Sequence, residues 1–483
     1  MSKELKYKQV ANRILKLIRI GTLKPGEKIP SVRKMSDQID VSLMTVLQGY
    51  HILEAKGIIE SRPRSGYFVR PDHLWNLNDK VYFREARTVP FKMKASKVCV
   101  FGTVDSLFVE GGRPGVLSLG CGISDPEFFP SRELSLHMAR AVRSHPLEIN
   151  HYSVAPGDFD LRLQISKKLM DAGCTLDPDD IVITAGTTSG IMLCLRTTAR
   201  SGDLVAVESP GYFGFYRALE YLGLRAIEVP SNPQTGLCLD FFEELLKSKN
   251  KIKVLLLCAN VSNPTGATIP DENKKKLVEL AHRSSISIIE DDTYGEICFD
   301  SKRGKSLKAF GFDNVLQVGG FGKILAPGYR IGWAIGGKHH EDIIKYHRMA
   351  YISTALPDQK AIASFLAGGG MNRHLRRLRR AYSENIALFQ REIVKCFPEQ
   401  TQISNPTGGH FLWIEMPKGF DSVELSRMTM EHGISICPGV VFSSQRHYKN
   451  YFRLNCALPW SKQIENAIHK IGELSSKILE SIL

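Results

Sequence analysis

The sequence predicts an α/β protein: a large domain built on an open sheet, preceded by a small helical module. Three observations lead there. From Gly115 onward, short continuous apolar runs alternate with helical stretches, the pattern of a sheet whose strands are buried on both faces. The first 70 residues instead show helical periodicity and then a hairpin pattern. At 483 residues the chain is too long for one ordinary core, so two or more domains are expected.

Hydrophobic residues at 43% and charged residues at 24% are the proportions of a soluble globular protein. No apolar stretch approaches the roughly 20 residues that span a bilayer. The start, Met1-Ser2-Lys3-Glu4-Leu5-Lys6, lacks the apolar core of a signal peptide. Ten cysteines are scattered without a CxxC pair or metal-ligand spacing. Reduced thiols, a cytoplasmic location and no metal centre are therefore expected, with Cys121, Cys258 and Cys437 as plain core residues. The net charge of +14 is uneven: residues 1–70 hold 14 lysines and arginines against 6 acids. A basic module at one end points to a polyanion partner there.

Within that module, Val10, Ile14, Leu17 and Ile18 recur at helical spacing, which predicts a helix from residue 6 to about residue 20. Gly21-Thr22-Leu23-Lys24-Pro25-Gly26 breaks it. Ser31 is placed to cap a second helix reaching about Ile39. Ser42 is placed to cap a third, with Val46, Tyr50 and Leu53 on its buried face and Gly57 just past its end. Ile58-Ile59-Glu60-Ser61, a turn at residues 62–66 and Tyr67-Phe68-Val69 read as a hairpin. Three helices and a hairpin make a winged helix-turn-helix, whose third helix enters the DNA major groove by its N-terminal turn. Ser42 and Thr45 lie on that turn. Arg33, Lys34, Arg62 and Arg64 are candidates for phosphates and groove edges.

The stretches Ile29-Pro30-Ser31-Val32-Arg33, Val41-Ser42-Leu43-Met44-Thr45-Val46 and residues 57–69 closely resemble the GntR family of bacterial regulators. One departure matters. Many members of that family carry an arginine after the capping serine, where this chain has Leu43, and some carry a basic residue at the position of Leu47. Base readout from the third helix is expected to be weaker or different. Residues 71–114 read as a connection; with Trp75, Tyr82, Phe83, Phe91 and Phe101 they are no Gly/Ser tether, so partial packing is expected.

In the large domain, strands are expected at residues 181–184, 204–207, 254–259, 286–289 and 315–318. Each run is followed by a polar motif, and in open α/β sheets ligands collect at the carboxyl ends of strands. After the first comes Ala185-Gly186-Thr187-Thr188-Ser189-Gly190, opening a helix whose free N–H groups suit a phosphate. After the second stands Glu208-Ser209-Pro210-Gly211-Tyr212, and after the third Asn263-Pro264-Thr265-Gly266. Glu290-Asp291-Asp292-Thr293-Tyr294 follows the fourth. Gly320-Phe321-Gly322-Lys323 follows the fifth and leads into Ala326-Pro327-Gly328-Tyr329-Arg330-Ile331-Gly332-Trp333. A pyridoxal cofactor gives these motifs a common reason. Its aldehyde needs an amine, its ring nitrogen a carboxylate, its phenolate oxygen donors, its face an aromatic ring and its phosphate a cation.

The order and spacing resemble fold-type I aminotransferases over about residues 115–480. That resemblance implies a PLP-dependent transferase fold with a smaller α+β C-terminal subdomain, and pyridoxal 5′-phosphate (PLP) held as a Schiff base by Lys323. It implies Asp291 at the pyridine nitrogen, Asn263 and Tyr294 at the phenolate oxygen, and Tyr212 stacked on the ring. It further implies Arg330, Thr187 and Thr188 at the phosphate, Tyr152 reaching the phosphate from a partner subunit, and Arg453 gripping a substrate carboxylate bidentately. A second departure is that Gly320 and Gly322 stand where family members usually have serines. The loss of two hydroxyl donors is expected to weaken phosphate anchoring by about 1–3 kcal/mol.

Together, a GntR-like module at residues 1–70, a connection at 71–114 and an aminotransferase-like domain at 115–483 resemble the MocR subfamily of transcription regulators. The resemblance implies a homodimer that binds a double-stranded DNA operator and answers to PLP or an amino acid through Lys323. The alternative expectation is a working aminotransferase that exchanges an amino acid with a 2-oxo acid.

Overall fold

The computed structural model describes residues 6–19, 22–24, 26–55, 58–62, 65–70, 91–299, 303–311 and 313–482. Gly57, Arg64, Trp75, Tyr82 and Phe83 lie outside the described residues.

The amino-terminal module has helices α1 (Lys6–Arg19), α2 (Val32–Ile39) and α3 (Leu43–Ala55) and strands β1 (Ile59–Arg62) and β2 (Gly66–Val69). Both expected caps are present. The Lys34 amide donates to Ser31 Oγ at 3.2 Å and the Thr45 amide to Ser42 Oγ at 3.2 Å. Val10, Ile14, Ile18, Met35, Val46, Tyr50, Leu53, Ile59 and Val69 close one core. The Tyr50 hydroxyl is satisfied inside it by the Pro30 carbonyl at 2.7 Å. Residues 26–29 add a short rung to the hairpin: Gly26 N–H donates to the Val69 carbonyl and Ile29 N–H to that of Tyr67. A Pro-Gly turn hides that pairing in the sequence.

Among the described residues the large sheet has nine strands: β3 (Ser96–Lys97), β5 (Ile181–Thr184), β6 (Leu204–Ser209), β7 (Arg225–Asn232), β8 (Gly236–Leu237), β9 (Ile252–Leu257), β10 (Ser287–Asp291), β11 (Val315–Gly320) and β12 (Gly332–Ile335), while β4 (Leu117–Ser118) lies elsewhere. Their order is β3-β7-β6-β9-β10-β11-β12-β5, with β8 off the end of β7. The stretch from β7 to β11 is parallel, and β12 runs antiparallel between β11 and β5. The five expected strands are all found, within a few residues at their ends.

The expected connection does not extend to residue 114. β3 pairs antiparallel with the start of β7, and a helix follows at Phe101–Gly111. Val98, Val100 and Val104 enter the same buried cluster as Val205, Val207 and Val254. The physical reason is apolar burial at a bare sheet edge, which a two-residue strand scarcely signals. The Phe91 ring stacks on His447 at 5.2 Å, so the expected partial packing holds for that residue.

The C-terminal subdomain is α+β. Strands β13 (Gln402–Ile403), β14 (Phe411–Glu415), β16 (Cys437–Pro438) and β17 (Tyr451–Asn455) form an antiparallel sheet in the order β13-β14-β17-β16, while β15 (Ile434–Ser435) pairs with β4. Helices at Gly370–Cys396, Ser422–Glu431 and Lys462–Glu480 pack on it around Phe389, Leu412, Phe452 and Ile471. Among the described residues no helix is long and apolar enough to cross a membrane.

Candidate functional site

The carboxyl ends of β5, β6, β9, β10 and β11 converge where the parallel run meets antiparallel β12. Asp291 ends β10 and is buried. Its Oδ1 accepts from the Thr293 amide at 3.0 Å and the Thr293 hydroxyl at 2.5 Å. Burial pushes this carboxyl up to about 6, against the pull of the Thr293 hydrogen bonds. Lys323, three residues past β11, donates from Nζ to the Gly122 carbonyl at 2.5 Å. Its pKa is lowered to about 8, first by burial and then by the positive charges of Arg453 and Arg330, with Asp291 opposing.

The helix Thr187–Thr198 begins at Gly186, whose φ of 87° belongs to the region that favours glycine. A Cβ there would lie 2.6 Å from Arg330 Nη2. Arg330 thus lies across the helix start, with Nη2 also 3.4 Å from the Ala185 carbonyl. The guanidinium and the helix dipole combine at one point, as an anion site requires. Thr187 Oγ1 is 3.1 Å from the Thr293 hydroxyl, and exposed Thr188 follows it on the first turn.

The missing serines have a structural explanation at one position. A Cβ on Gly320 would come within 2.6 Å of Thr187 Oγ1, so the threonine hydroxyl stands close to where a residue-320 side chain would go. The other glycine is different: a Cβ on Gly322 meets nothing nearer than Pro327 Cα at 3.8 Å.

Arg453 lies on β17, fully buried. Nη1 donates to Asn263 Oδ1 at 2.9 Å and Nη2 to the Gly120 carbonyl at 2.7 Å. Its guanidinium lies 4.1 Å from the Phe411 ring centre and 5.1 Å from that of Phe442. Among the described residues Nε has no hydrogen-bond partner and no carboxylate pairs with this cation. Tyr294 is buried against Phe411 at 5.7 Å, and burial raises its hydroxyl well above the usual value. Tyr212 packs on Phe213 at 4.8 Å, its hydroxyl pushed up to about 12 chiefly by burial. Tyr152 stands apart, 75% exposed.

His410 is a site residue that sequence reasoning missed. It is fully buried, and among the described residues neither ring nitrogen has a hydrogen-bond partner. Its ring lies 5.5 Å from Tyr294, 5.2 Å from Tyr382 and 4.3 Å from Phe411. Burial, with Lys323 and Arg453 adding to it, holds its pKa well below the usual value, so the imidazole is neutral. The available signal was a polar residue between Gly408-Gly409 and the apolar run Phe411-Leu412-Trp413-Ile414. Thr293 was also missed; only the fold shows it joining Asp291 to Thr187.

The residues present fit a pyridoxal cofactor. Among the described residues Asp291 is a buried acid without an ion-pair partner; Arg330 is a cation at a helix start, and Lys323 is an amine of lowered pKa. On the DNA-binding module, Arg33 and Lys34 are exposed. Arg62 is partly committed: its Nε donates to Glu60 Oε1 at 2.8 Å and its guanidinium lies 4.3 Å from the Phe68 ring centre.

Comparisons with known proteins agree with this architecture. The profile of the family Aminotransferase class I and II matches residues 122–471, and that of Bacterial regulatory proteins, gntR family, matches residues 6–69. The chain is 33% identical over 470 residues to the uncharacterized HTH-type transcriptional regulator YdcR of Escherichia coli, covering 97% of this chain and 98% of that one. It is 33% identical over 483 residues to YjiR of the same organism, also described as an uncharacterized HTH-type transcriptional regulator, covering 98% and 100%. Among solved structures, the α-aminoadipate aminotransferase LysN of Thermus thermophilus, complexed with N-(5′-phosphopyridoxyl)-L-leucine, superposes with a TM-score of 0.72 at 27% identity. That match covers 78% of this chain and 95% of LysN. A winged module on a class I and II aminotransferase domain defines one class of protein: the chain belongs to the MocR-type GntR regulators, whose aminotransferase fold is PLP-dependent.

Proposed function

We propose that the chain is a homodimeric, cytoplasmic transcription regulator that binds an operator through its winged helices and senses PLP or an amino acid at Lys323. The observation that carries the ligand class is Arg453, a fully buried cation that no carboxylate pairs among the described residues. A buried guanidinium left so is costly, and a ligand carboxylate supplies two well-placed acceptors. An amine on the same ligand would lie near Lys323, which points to an amino acid.

Lys323 would hold the cofactor, Asp291 its ring nitrogen, Asn263 and Tyr294 its phenolate oxygen and Tyr212 its ring face. Arg330, Thr187, Thr188 and the partner subunit's Tyr152 would hold its phosphate. When bound, the cofactor supplies an aldehyde carbon open to amines and a ring that withdraws electrons. Thr293 fixes the Asp291 carboxylate, and neutral His410 offers the ligand one N–H and one lone pair. On the DNA side, Arg33, Ser42, Thr45, Arg62 and Arg64 are the proposed contacts. Signalling requires that the ligand bind two dimer conformations unequally and that these space the winged helices differently.

The test is a spectral titration of the cofactor-loaded protein with amino acids, followed by operator binding with and without each hit. An amino acid that shifts the spectrum and also changes DNA affinity is expected. A working aminotransferase is the second reading, favoured by the charges of Asp291, Arg330 and Arg453 that act on Lys323. Steady turnover of an amino acid and a 2-oxo acid, without specific DNA binding, would establish it instead.

Two further outcomes are expected. Only the neutral amine reacts with an aldehyde, so capture of PLP by the apo-protein should accelerate as pH rises and level off above about 8. An unshifted lysine would instead keep accelerating toward pH 10.5, and that profile would refute the depressed value. By linkage, the folded apo-protein carries the cost of the buried charge in full below about 8. It gains stability as pH rises from there toward the ordinary lysine value of 10.5. Secondly, Gly322→Ser should tighten PLP binding by about 1–2 kcal/mol, or roughly 5- to 30-fold in Kd. Gly320→Ser should tighten it less, because the new side chain must displace the Thr187 hydroxyl. Equal effects in a fluorescence titration would contradict that reading of the two glycines.

A further inference from the structure

The recognition helix α3 has an unusual surface. From Met35 to Ala55 the sequence contains no lysine or arginine. The residues it exposes at its groove-entering end are apolar: Leu43 is 46% exposed and Met44 73%. Gln48, one turn after Met44 and on the same face, is exposed too. The two hydroxyls of that turn are already engaged, Ser42 Oγ lying 2.8 Å from Thr45 Oγ1 and accepting from the Thr45 amide.

We propose that α3 selects A·T base pairs in the major groove, with Leu43 and Met44 packing on thymine methyl groups and Gln48 reading adenine. This rests on the DNA-binding reading given above. The chemistry of the groove edges drives the choice. Guanine presents two acceptors, O6 and N7, whose commonest protein partner is a bidentate arginine or lysine, and α3 has neither. Thymine alone presents an apolar group there, and adenine pairs an acceptor with a donor, which matches a side-chain amide. The cations of the module lie elsewhere, with Arg33 and Lys34 at the start of α2 and Arg62 on the wing. There they serve phosphates, which set affinity and register without reading sequence.

The experiment is selection of duplexes by the full-length protein from a random pool, then binding to the winner with single altered bases. The expected result is a half-site whose α3-facing positions are A·T. Deoxyuridine in place of thymidine removes the methyl group, and 7-deazaadenine removes the N7 acceptor. Each should weaken binding about five-fold or more at its own position. The first penalty should vanish when Leu43→Ala and Met44→Ala are combined, and the second in Gln48→Ala; all three side chains are exposed, so the fold is expected to tolerate these changes. A selected half-site with G·C at those positions, or an operator indifferent to both altered bases, overturns the inference while leaving DNA binding intact. A pool in which no sequence is enriched overturns the DNA-binding reading, and this inference with it.

Discussion

Replacing Lys323 with alanine is expected to abolish the visible absorbance of protein-bound PLP and to uncouple DNA binding from the amino acid. The lysine is the amine of lowered pKa beside Asp291, and alanine offers nothing for the aldehyde. The fold should survive, because the change removes one hydrogen bond to the Gly122 carbonyl, worth about 1 kcal/mol. Operator affinity without ligand should stay near the wild-type value, since α3 and the wing are untouched. The ligand response, on the order of 5- to 150-fold for ordinary coupling energies, should fall to about 1. Lys323→Arg provides the companion variant: it keeps the charge and cannot form the bond, so it should fail in the same way. An unchanged spectral titration in either variant would remove Lys323 from the function.

Arg453→Met is expected to separate carboxylate recognition from everything else. Methionine retains much of the packing against Phe411 and Phe442 while deleting the charge. Truncating one side of a buried charge pair costs about 2–5 kcal/mol, so affinity for an amino acid should fall roughly 30- to several-thousand-fold. A simple alkylamine lacks the carboxylate and should bind the variant as well as it binds the wild type. The apo-protein should melt no lower than wild type, because a buried cation without an anion is destabilising in its own right. That combination distinguishes recognition from folding. A uniform loss for both ligands would mean that Arg453 holds the subdomain together rather than reading a carboxylate.

The parallel strands were legible because strands buried on both faces must be continuously apolar, as in Val254-Leu255-Leu256-Leu257. The caps at Ser31 and Ser42 were legible because a helix start has orphan amides that a serine satisfies locally. The positions of Tyr212, Asp291, Tyr294 and Lys323 near the carboxyl ends of β6, β10 and β11 were legible as polar motifs that follow apolar runs. What the sequence withheld depends on distant partners. β3 is two residues long and gains its meaning only from β7. His410 reads as one polar letter ahead of a strand-like run until Tyr294 and Tyr382 are seen around it. The proximity of Thr187 Oγ1 to the Gly320 backbone joins residues far apart in the chain, and no local pattern encodes it.

The small strand β3 has one last consequence. β7 is the outermost long strand of the sheet, and its free side is met by β3 at Arg225 and Ala226 and by β8 at Ser231 and Asn232. Bare edges template the addition of strands from other molecules. The segment that leads out of the DNA-binding module therefore also guards the sheet against polymerisation. Proteolysis or engineering that frees the large domain must cut before Phe91; a cut at Gly115 would expose a sticky edge and strip Val98, Val100 and Val104 from the core. Detaching the winged module from the large domain is thus a question of solubility as much as of where the two modules divide.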